Sequence, residues 1–259
     1  MKIIVCIKQV PSASICVDEN GNPDRSSAGT RLNPGDLWAL EGALRLGDAL
    51  GAEVTALTMG PESSEAGLRT ALAMGAREAV RMTDPAFAGA DVYATGHTLS
   101  QGVRALGGAE LVVCGLHSTD GDTAQLPHSL GAQLGIPVLG WIKALDVQNS
   151  QVTVCQELSR GTQVCRVPET ALLAIGPLEG GIRIPSLRSQ LAARTEKIRV
   201  LDLQSLEDRD PDHYGLSGSH TCVRQVWSVT GKKKAEILSL SGAQAAKEIQ
   251  KYWEAGTDG

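Results

Sequence analysis

Residues 3–7 read IIVCI, a run of five apolar side chains of which four are β-branched. A short run that is apolar at every position is typical of a strand buried on both faces inside a parallel sheet. Further strands are predicted at residues 54–59, 79–82 and 111–114, with amphipathic helices between them. Strands that alternate with helices form βαβ units, whose right-handed crossovers make neighbouring strands parallel. The sequence therefore predicts an α/β fold with a Rossmann-like open parallel sheet and flanking helices.

The pattern changes after residue 138, where the predicted strands are joined by turns rather than by helices. Residues 152–154, 162–164 and 171–174 are predicted strands, and Gly161 lies in a hairpin between two of them. An antiparallel extension of the parallel sheet fits this arrangement best.

The C-terminal part of the chain has little core-forming pattern. Residues 202–218 are polar and contain Pro and Gly, which predicts an arm, and residues 241–253 predict one amphipathic helix with Ser241 as its N-cap. We therefore divide the chain into an α/β domain of residues 1–200 and a C-terminal arm and helix of residues 201–259.

The composition argues against several classes of protein. The 259 residues carry a net charge of −5, and 42% are hydrophobic but only 3% aromatic. This is the balance of a folded chain, whereas a nucleic-acid binder would be basic or rich in stacking aromatics. None of the six cysteines forms a Cys-x-x-Cys pair. No apolar run approaches the roughly 20 residues of a membrane span. We expect a cytoplasmic protein with unpaired thiols, no membrane span and no nucleic-acid partner.

A ligand of an open parallel sheet binds beyond the carboxyl ends of the strands. This rule places Cys6, Lys8, Met59 and residues 115–123 around one crevice, because each follows or ends a predicted strand. The glycine-rich dinucleotide fingerprint is absent after the first strand, and no Walker-type phosphate loop occurs. An NAD-dependent Rossmann enzyme is therefore disfavoured.

Residues 120–125 read DGDTAQ and are the most informative stretch. Gly121 permits a tight turn, which we expect to open a helix whose free N–H groups suit a phosphate. Thr123 and Gln125 add hydroxyl and amide donors. Asp120 and Asp122 either cap this helix or accept hydrogen bonds from ribose hydroxyls or an adenine amine, and their spacing leaves both alternatives open.

Residues 33–36 read NPGD and raise the same question. Pro34 and Asp36 are ordinary first-turn residues of a helix, so that capping and ligand contact both remain open. His117 stands apart from the other four histidines because it precedes the DGDTAQ stretch.

Taken together, six stretches carry a resemblance to a known family. They read KIIVCIKQVP at 2–11, NPGD at 33–36, RTALAMGA at 69–76, DGDTAQ at 120–125, IPSL at 184–187 and GLSGS at 215–219. In this order they resemble the beta subunit of electron transfer flavoproteins, and the likeness runs along nearly the whole chain. Two departures are LPH at residues 126–128, where the family usually has Val-Gly-Pro, and AARTEK at residues 192–197, where the family has a Lys-rich helix.

The resemblance implies a heterodimer with an alpha subunit that carries FAD and shuttles electrons. The beta subunit of this family holds either a structural AMP or, in electron-bifurcating members, a second FAD. The DGDTAQ form looks like the flavin-bearing branch, in which NADH reduces the flavin. One electron would then pass to a low-potential acceptor such as ferredoxin or flavodoxin. The other would pass through the alpha-subunit FAD to an acyl-CoA dehydrogenase-like flavoprotein.

The resemblance also assigns residues to roles. The implied nucleotide-binding residues are Cys6, Lys8, Asn33, Asp36, Met59, Gly115, His117, Asp120, Gly121, Asp122, Thr123, Ala124 and Gln125. Residues 184–194 resemble the recognition loop of the family, in which Leu187 matches a leucine that anchors into the dehydrogenase. The alternative is that Leu187 packs under its own loop. Residues 201–259 would pack on the partner subunit. We expect no catalytic nucleophile, no acid–base pair and no metal site, because the flavin carries the chemistry.

Two alternatives are kept. The first is a beta subunit of the non-bifurcating type, in which AMP has a structural role only. The second is an ATP-binding protein or ligase of related fold, although the chain has no Ser-Gly-Gly-x-Asp-type pyrophosphate loop after its first strand.

Overall fold

The computed structural model describes residues 1–12, 16–17, 23–24, 29–224 and 237–255. The chain divides into two compact units, Met1–Val226 and Trp227–Gly259. The first unit contains the sheet and thus extends past residue 200, where the sequence suggested a boundary. The second unit contains the C-terminal helix and is described by itself.

The first unit contains all the strands and five of the helices of the described chain. The strands are β1 (Lys2–Cys6), β2 (Gln9–Pro11), β3 (Cys16–Val17), β4 (Pro23–Asp24), β5 (Thr30–Leu32), β6 (Glu53–Met59), β7 (Glu78–Met82), β8 (Leu111–Gly115), β9 (Val138–Gln148), β10 (Gln151–Leu158), β11 (Gly161–Arg166), β12 (Ala171–Ile175) and β13 (Arg199–Leu201). The helices are α1 (Pro34–Leu50), α2 (Glu65–Met74), α3 (Val92–Ala105), α4 (Leu126–Leu134) and α5 (Leu187–Ala193).

Nine strands form one sheet in the order β11-β10-β9-β12-β8-β1-β6-β7-β13. From β9 to β13 every neighbouring pair is parallel, and β1 lies between β8 and β6, with Val5 opposite both Val113 and Ala56. Helices α1 and α2 cover one face, where Ile3 and Val5 contribute to the core, and α3 and α4 cover the other, where Ile4 contributes. The predicted α/β fold is confirmed, and burial on both faces explains the continuous apolar run at residues 3–7.

The antiparallel extension is formed by β9, β10 and β11, which pair as two consecutive hairpins. We also assigned residues 171–174 to this extension, and that assignment was wrong. Strand β12 lies inside the parallel region, between β8 and β9. All five of its residues are buried, as in β8, whereas β11 is mostly exposed. The uniformly apolar composition of β12 therefore reflects cover on both faces rather than a hairpin.

The polar arm predicted at residues 202–218 is anchored on the sheet. Strand β13 adds to the edge of β7, and the chain then buries the isolated apolar side chains of Leu203, Leu206 and Tyr214. The Tyr214 hydroxyl donates to the carbonyl oxygen of Asp208 at 2.6 Å, and its ring packs against Phe87. Single anchors separated by polar residues give no periodic pattern, which explains why the sequence revealed an arm but not its docking.

The second unit contains α6 (Gly242–Ala255), as the sequence predicted. Ser241 precedes the helix, but its hydroxyl donates to the Gln244 side chain, which also accepts from the Ser241 N–H at 3.1 Å. Gln244 thus supplies the returning half of a capping box. Ile249, Tyr252 and Trp253 of this unit are exposed. No helix in the described residues is long and apolar enough to cross a bilayer.

We predict that Tyr214→Ala lowers the free energy of unfolding by roughly 3–5 kcal/mol, because it removes a fully buried aromatic side chain and leaves a cavity. Urea unfolding followed by circular dichroism measures this. Tyr252→Ala on α6, where the ring is exposed, is the matched control and should change stability by no more than about 0.5 kcal/mol. Equal effects of the two substitutions would contradict the anchoring role of Tyr214.

Candidate functional site

The carboxyl ends of β1, β6 and β8 lie side by side, as the parallel registers require. Cys6 is level with Leu57 of β6, and Val5 is level with Val113 of β8. The residues that follow these strands, from Lys8 and from Gly115, therefore reach the same edge of the sheet. The start of α1 packs over this edge, so that the structure brings the NPGD stretch to the loop after β8.

Asp36, in the first turn of α1, joins two strand ends. One carboxylate oxygen accepts the Lys8 N–H at 2.8 Å, and the carboxylate also accepts the N–H of Gly115. A Cβ at Gly115 would lie 2.4 Å from the other carboxylate oxygen, so the contact requires glycine. Burial raises the pKa of Asp36 to about 7, against the lowering effect of Asn33, Lys8 and Gly115. The capping alternative for Asp36 gives way to a role in holding the two loops together.

Asn33 occupies the N-cap position of α1 but makes no side-chain cap hydrogen bond. Its amide instead donates to the carbonyl oxygen of His117 at 2.9 Å, and its side-chain oxygen accepts the Thr119 N–H at 3.2 Å. The side chain is completely buried, so both bonds are shielded from water. Asn33 therefore fixes the loop that follows β8 rather than the end of its own helix.

The loop itself is folded by its acidic residues. The Lys8 ammonium lies 2.7 Å from a carboxylate oxygen of Asp120. This ion pair connects the end of β1 to the loop. Burial acts to raise the pKa of Asp120, but the hydrogen bonds from Lys8 and Ser118 outweigh it and hold that pKa below its usual value. The Nδ1 atom of His117 lies 2.6 Å from Asp122 Oδ1. Both carboxylates are thus engaged in side-chain contacts on the surface of the loop.

The position of the following helix corrects one prediction. We expected the turn at Gly121 to open a helix, with Asp120 or Asp122 as a possible cap. Helix α4 begins at Leu126 instead, with Gln125 at its N-cap position. Asp122 and Ala124 have left-handed backbones, with φ of 45° and 53°, and a helix cannot continue through such residues. Neither aspartate caps α4.

Two predicted site residues face the core rather than the crevice. Cys6 is buried in the core between the sheet and helices α3 and α4, and Met59 packs against the same core. Burial, with a smaller contribution from the Asp36 charge, raises the pKa of the Cys6 thiol to about 12. The thiol is therefore protonated and unreactive at neutral pH. Binding of a ligand by Cys6 or Met59 stays a prediction.

The other predicted residues form an exposed polar rim. His117, Asp120, Gly121, Asp122, Thr123 and Gln125 are exposed, and Ala124 is half-buried. With the Lys8 ammonium, this rim offers a cation for phosphate, carboxylates that accept from sugar hydroxyls, and hydroxyl and amide donors. The donor set fits the ribose and phosphates of a nucleotide, and it contains no activated nucleophile.

The segment that contains Leu187 forms an exposed apolar surface held at both ends. Ile184 is 91% exposed and Leu187, the first residue of α5, is 71% exposed. The segment is fixed by arginine contacts. Arg183, just before it, donates to Glu41 of α1 at 2.9 Å, and Arg69 of α2 donates to the carbonyl oxygens of Ala193 and Glu196, just after it.

The contact of Glu41 with the segment that contains Leu187 was not predicted from the sequence. Its carboxylate is almost fully buried and accepts from Arg45 at 2.7 Å as well as from Arg183. Burial acts to raise the pKa of Glu41, but these hydrogen bonds prevail and lower it. The i,i+4 spacing of Glu41 and Arg45 gave a signal for their pairing, but the contact with Arg183 is long-range.

Comparison with known proteins gives a consistent result. A family profile described as "Electron transfer flavoprotein domain" matches residues 24–206. Among curated proteins, Protein FixA of Bradyrhizobium diazoefficiens is 36% identical in an alignment of 258 positions that covers 96% of this chain and 90% of that protein. The electron transfer flavoprotein subunit beta of Thermoanaerobacterium thermosaccharolyticum is 34% identical in an alignment of 252 positions that covers 96% of each chain.

A third relative has a name that specifies a partner. The acryloyl-CoA reductase electron transfer subunit gamma of Anaerotignum propionicum is 33% identical in an alignment of 260 positions that covers 95% of each chain. These matches run over almost the whole of the chain, so the likeness is not confined to one part of the fold.

We predict that Asn33→Ala lowers the free energy of unfolding by about 1–3 kcal/mol, because it leaves the buried His117 carbonyl and Thr119 N–H without their partner. Hydrogen exchange of the amides at residues 117–125 should become faster, by the factor that corresponds to this loss of free energy. Gln125→Ala, in the same loop but exposed, is the control and should change stability by about 0.5 kcal/mol at most. Unchanged exchange in the Asn33 variant would refute this account.

Proposed function

Because the chain belongs to the electron transfer flavoprotein family, on its beta-subunit side, we propose that it is the beta subunit of a heterodimer and binds FAD. In this proposal the FAD lies at the loop of residues 115–125, is reduced by NADH and takes part in electron bifurcation. Electrons leave through the alpha-subunit FAD towards an acyl-CoA dehydrogenase-like flavoprotein. The low-potential acceptor is ferredoxin or flavodoxin.

The observation that supports nucleotide binding is the contact between the start of α1 and the loop after β8. The buried side chains of Asn33 and Asp36 make partly buried hydrogen bonds with main-chain groups of Lys8, Gly115, His117 and Thr119. The loop is thereby held from below by these hydrogen bonds, and its exposed side is left to a ligand. A site whose backbone is fixed before binding loses less conformational entropy when the ligand arrives.

The exposed groups have distinct proposed roles. The Lys8 ammonium balances the phosphate charge. On binding it either leaves Asp120 for the ligand or contacts both. Asp122, held against His117 at 2.6 Å, accepts from a ribose hydroxyl. The first turn of α4 adds the partial positive charge of a helix N-terminus. When bound, the flavin supplies the one- and two-electron chemistry, and the protein groups hold it and set its surroundings.

FAD is preferred to AMP on the sequence of the loop. The DGDTAQ form, with the NPGD start of α1, resembles the flavin-bearing branch of the family. The AMP-binding beta subunit is the alternative, and it would use the same polar rim without any redox role. The family match leaves the ATP-binding protein or ligase without support.

The proposed dehydrogenase partner is supported by two observations. The relative from Anaerotignum propionicum is named as an electron transfer subunit of acryloyl-CoA reductase. The recognition loop (residues 184–194) presents Ile184, Leu187 and Leu191 as an exposed apolar surface. An aliphatic anchor on a segment that is already fixed suits a complex that must form and dissociate repeatedly.

We predict that the complex of this chain with its alpha subunit contains two FAD, and that Asp122→Ala lowers the occupancy of one of them. Nucleotides released by denaturation are separated by chromatography and counted against protein. Asp146→Ala removes the same charge from exposed β9 and is the control, with unchanged occupancy. One FAD and one AMP per heterodimer would replace FAD by the AMP alternative, and a single nucleotide in total would refute the site.

We predict that Leu187→Ala raises the dehydrogenase concentration needed for half-maximal electron transfer by roughly 5- to 30-fold, as expected for loss of an interface anchor worth about 1–2 kcal/mol. The flavin spectrum should stay unchanged, because the substitution is remote from the loop of residues 115–125. Leu158→Ala, at an exposed strand end of β10, is the matched control. An undiminished rate at limiting partner concentration would show that Leu187 is not the anchor.

A further inference from the structure

Five residues of the described chain other than glycine have a left-handed backbone, with positive φ. Asn149 and Ser150 form the tight turn between β9 and β10, where this conformation is ordinary. The other three are Asp122, Ala124 and Trp141, with φ of 45°, 53° and 55°. Two of them lie in the loop after β8, and the third is a tryptophan in the middle of a strand.

Trp141 occupies a bulge of β9. The parallel register pairs Leu139 with Leu173 and then Ile142 with Ile175, so β9 has one more residue than β12 in this interval. The bulge leaves Trp141 56% exposed, although indole is among the side chains that gain most from burial. A bulky side chain is disfavoured at positive φ, and the fold pays this cost without burying the ring. Packing among the residues that the structure describes therefore does not explain the conformation.

The position of Trp141 suggests an explanation. Ile142 is level with Ile175, which pairs with Gly115, so the bulge lies at the carboxyl edge of the sheet. Trp141 lines a small cavity beside the DGDTAQ loop and the start of α4. The other lining residues are Leu116, Ala124, Pro127, His128, Gly140 and Ala174. The cavity thus joins the second left-handed residue of the loop, Ala124, to the exposed indole.

We propose that Trp141 is a positioning residue that stacks on a planar ring of the nucleotide bound at the loop of residues 115–125. This inference rests on the proposed function. Adenine and the flavin ring share the chemistry that an indole face recognises, which is a flat π-system of low polarity. The bulge keeps the indole at the rim before binding, and the wall of Leu116, Ala124 and Pro127 excludes water from one side of the ring.

The test uses two substitutions that treat the backbone alike. Trp141→Gly removes the ring and places glycine where φ is positive, so backbone strain is relieved. Asn149→Gly relieves the same strain in the β9–β10 turn, away from the loop, and is the matched control. Trp141→Phe retains an aromatic face. Dissociation constants for FAD and for AMP are measured by calorimetry on the nucleotide-depleted complex with the alpha subunit, and thermal midpoints are measured on the same samples.

We expect Trp141→Gly to weaken nucleotide binding about tenfold or more. Its thermal midpoint should equal that of Asn149→Gly or exceed that of the wild type. Trp141→Phe should weaken binding less than threefold. Loss of affinity for both FAD and AMP would show stacking on adenine, whereas loss for FAD alone would show stacking on the flavin ring.

The inference is overturned if Trp141→Gly binds both nucleotides as wild type does, or if it unfolds well below Asn149→Gly, since the ring would then serve packing. Wild-type complex that binds neither nucleotide would refute the proposed function and this inference together. Wild-type binding with unaffected Trp141 variants would refute the inference alone.

Discussion

The hydrogen bonds from the first turn of α1 to two strand ends are the interaction on which the rest of the site depends. Asn33 and Asp36 are buried polar side chains, and such groups are destabilising unless their hydrogen bonds are made. Here their partners are main-chain groups of Lys8, Gly115 and the loop after β8. The two buried side chains therefore depend on the strand ends and on the loop for their hydrogen-bond partners.

This arrangement separates the residues that build the site from those available to a ligand. Asn33, Asp36 and Gly115 make contacts within the fold. Gly115 is glycine because the Asp36 carboxylate lies 2.4 Å from where a Cβ would be. The exposed side chains of Lys8 and of the loop residues up to Gln125 make few buried contacts. Substitution of the first group alters the shape of the loop, whereas substitution of the second alters what the loop can bind. The two groups were indistinguishable in the sequence, since both are polar and lie near the same strand ends.

The sequence allowed the parallel core, the helices and the edge of the sheet that carries the site to be predicted, because uniform apolar runs and helical periodicity report local burial. It did not allow the start of α4 or the placement of β12 to be predicted. The first depends on left-handed backbone at Asp122 and Ala124, residue types that do not demand it. The second depends on which strands cover β12, which is a property of the assembled sheet. The bulge at Trp141 was missed although Gly140 precedes it, because the bulge depends on the register between β9 and β12.

Helix α1 links the two functional regions of the first unit. Its first turn holds the loop after β8 through Asn33 and Asp36, and Glu41 binds Arg183 at the start of the recognition loop. Gly42, next to Glu41, lets the helix pack so closely on the sheet that a Cβ there would meet Ile175 of β12. A helix fixed at this contact cannot shift at one end without moving the other. The proposed nucleotide site and the proposed docking surface are thus attached to the same helix, which suits a carrier because electron transfer depends on the geometry of its complex.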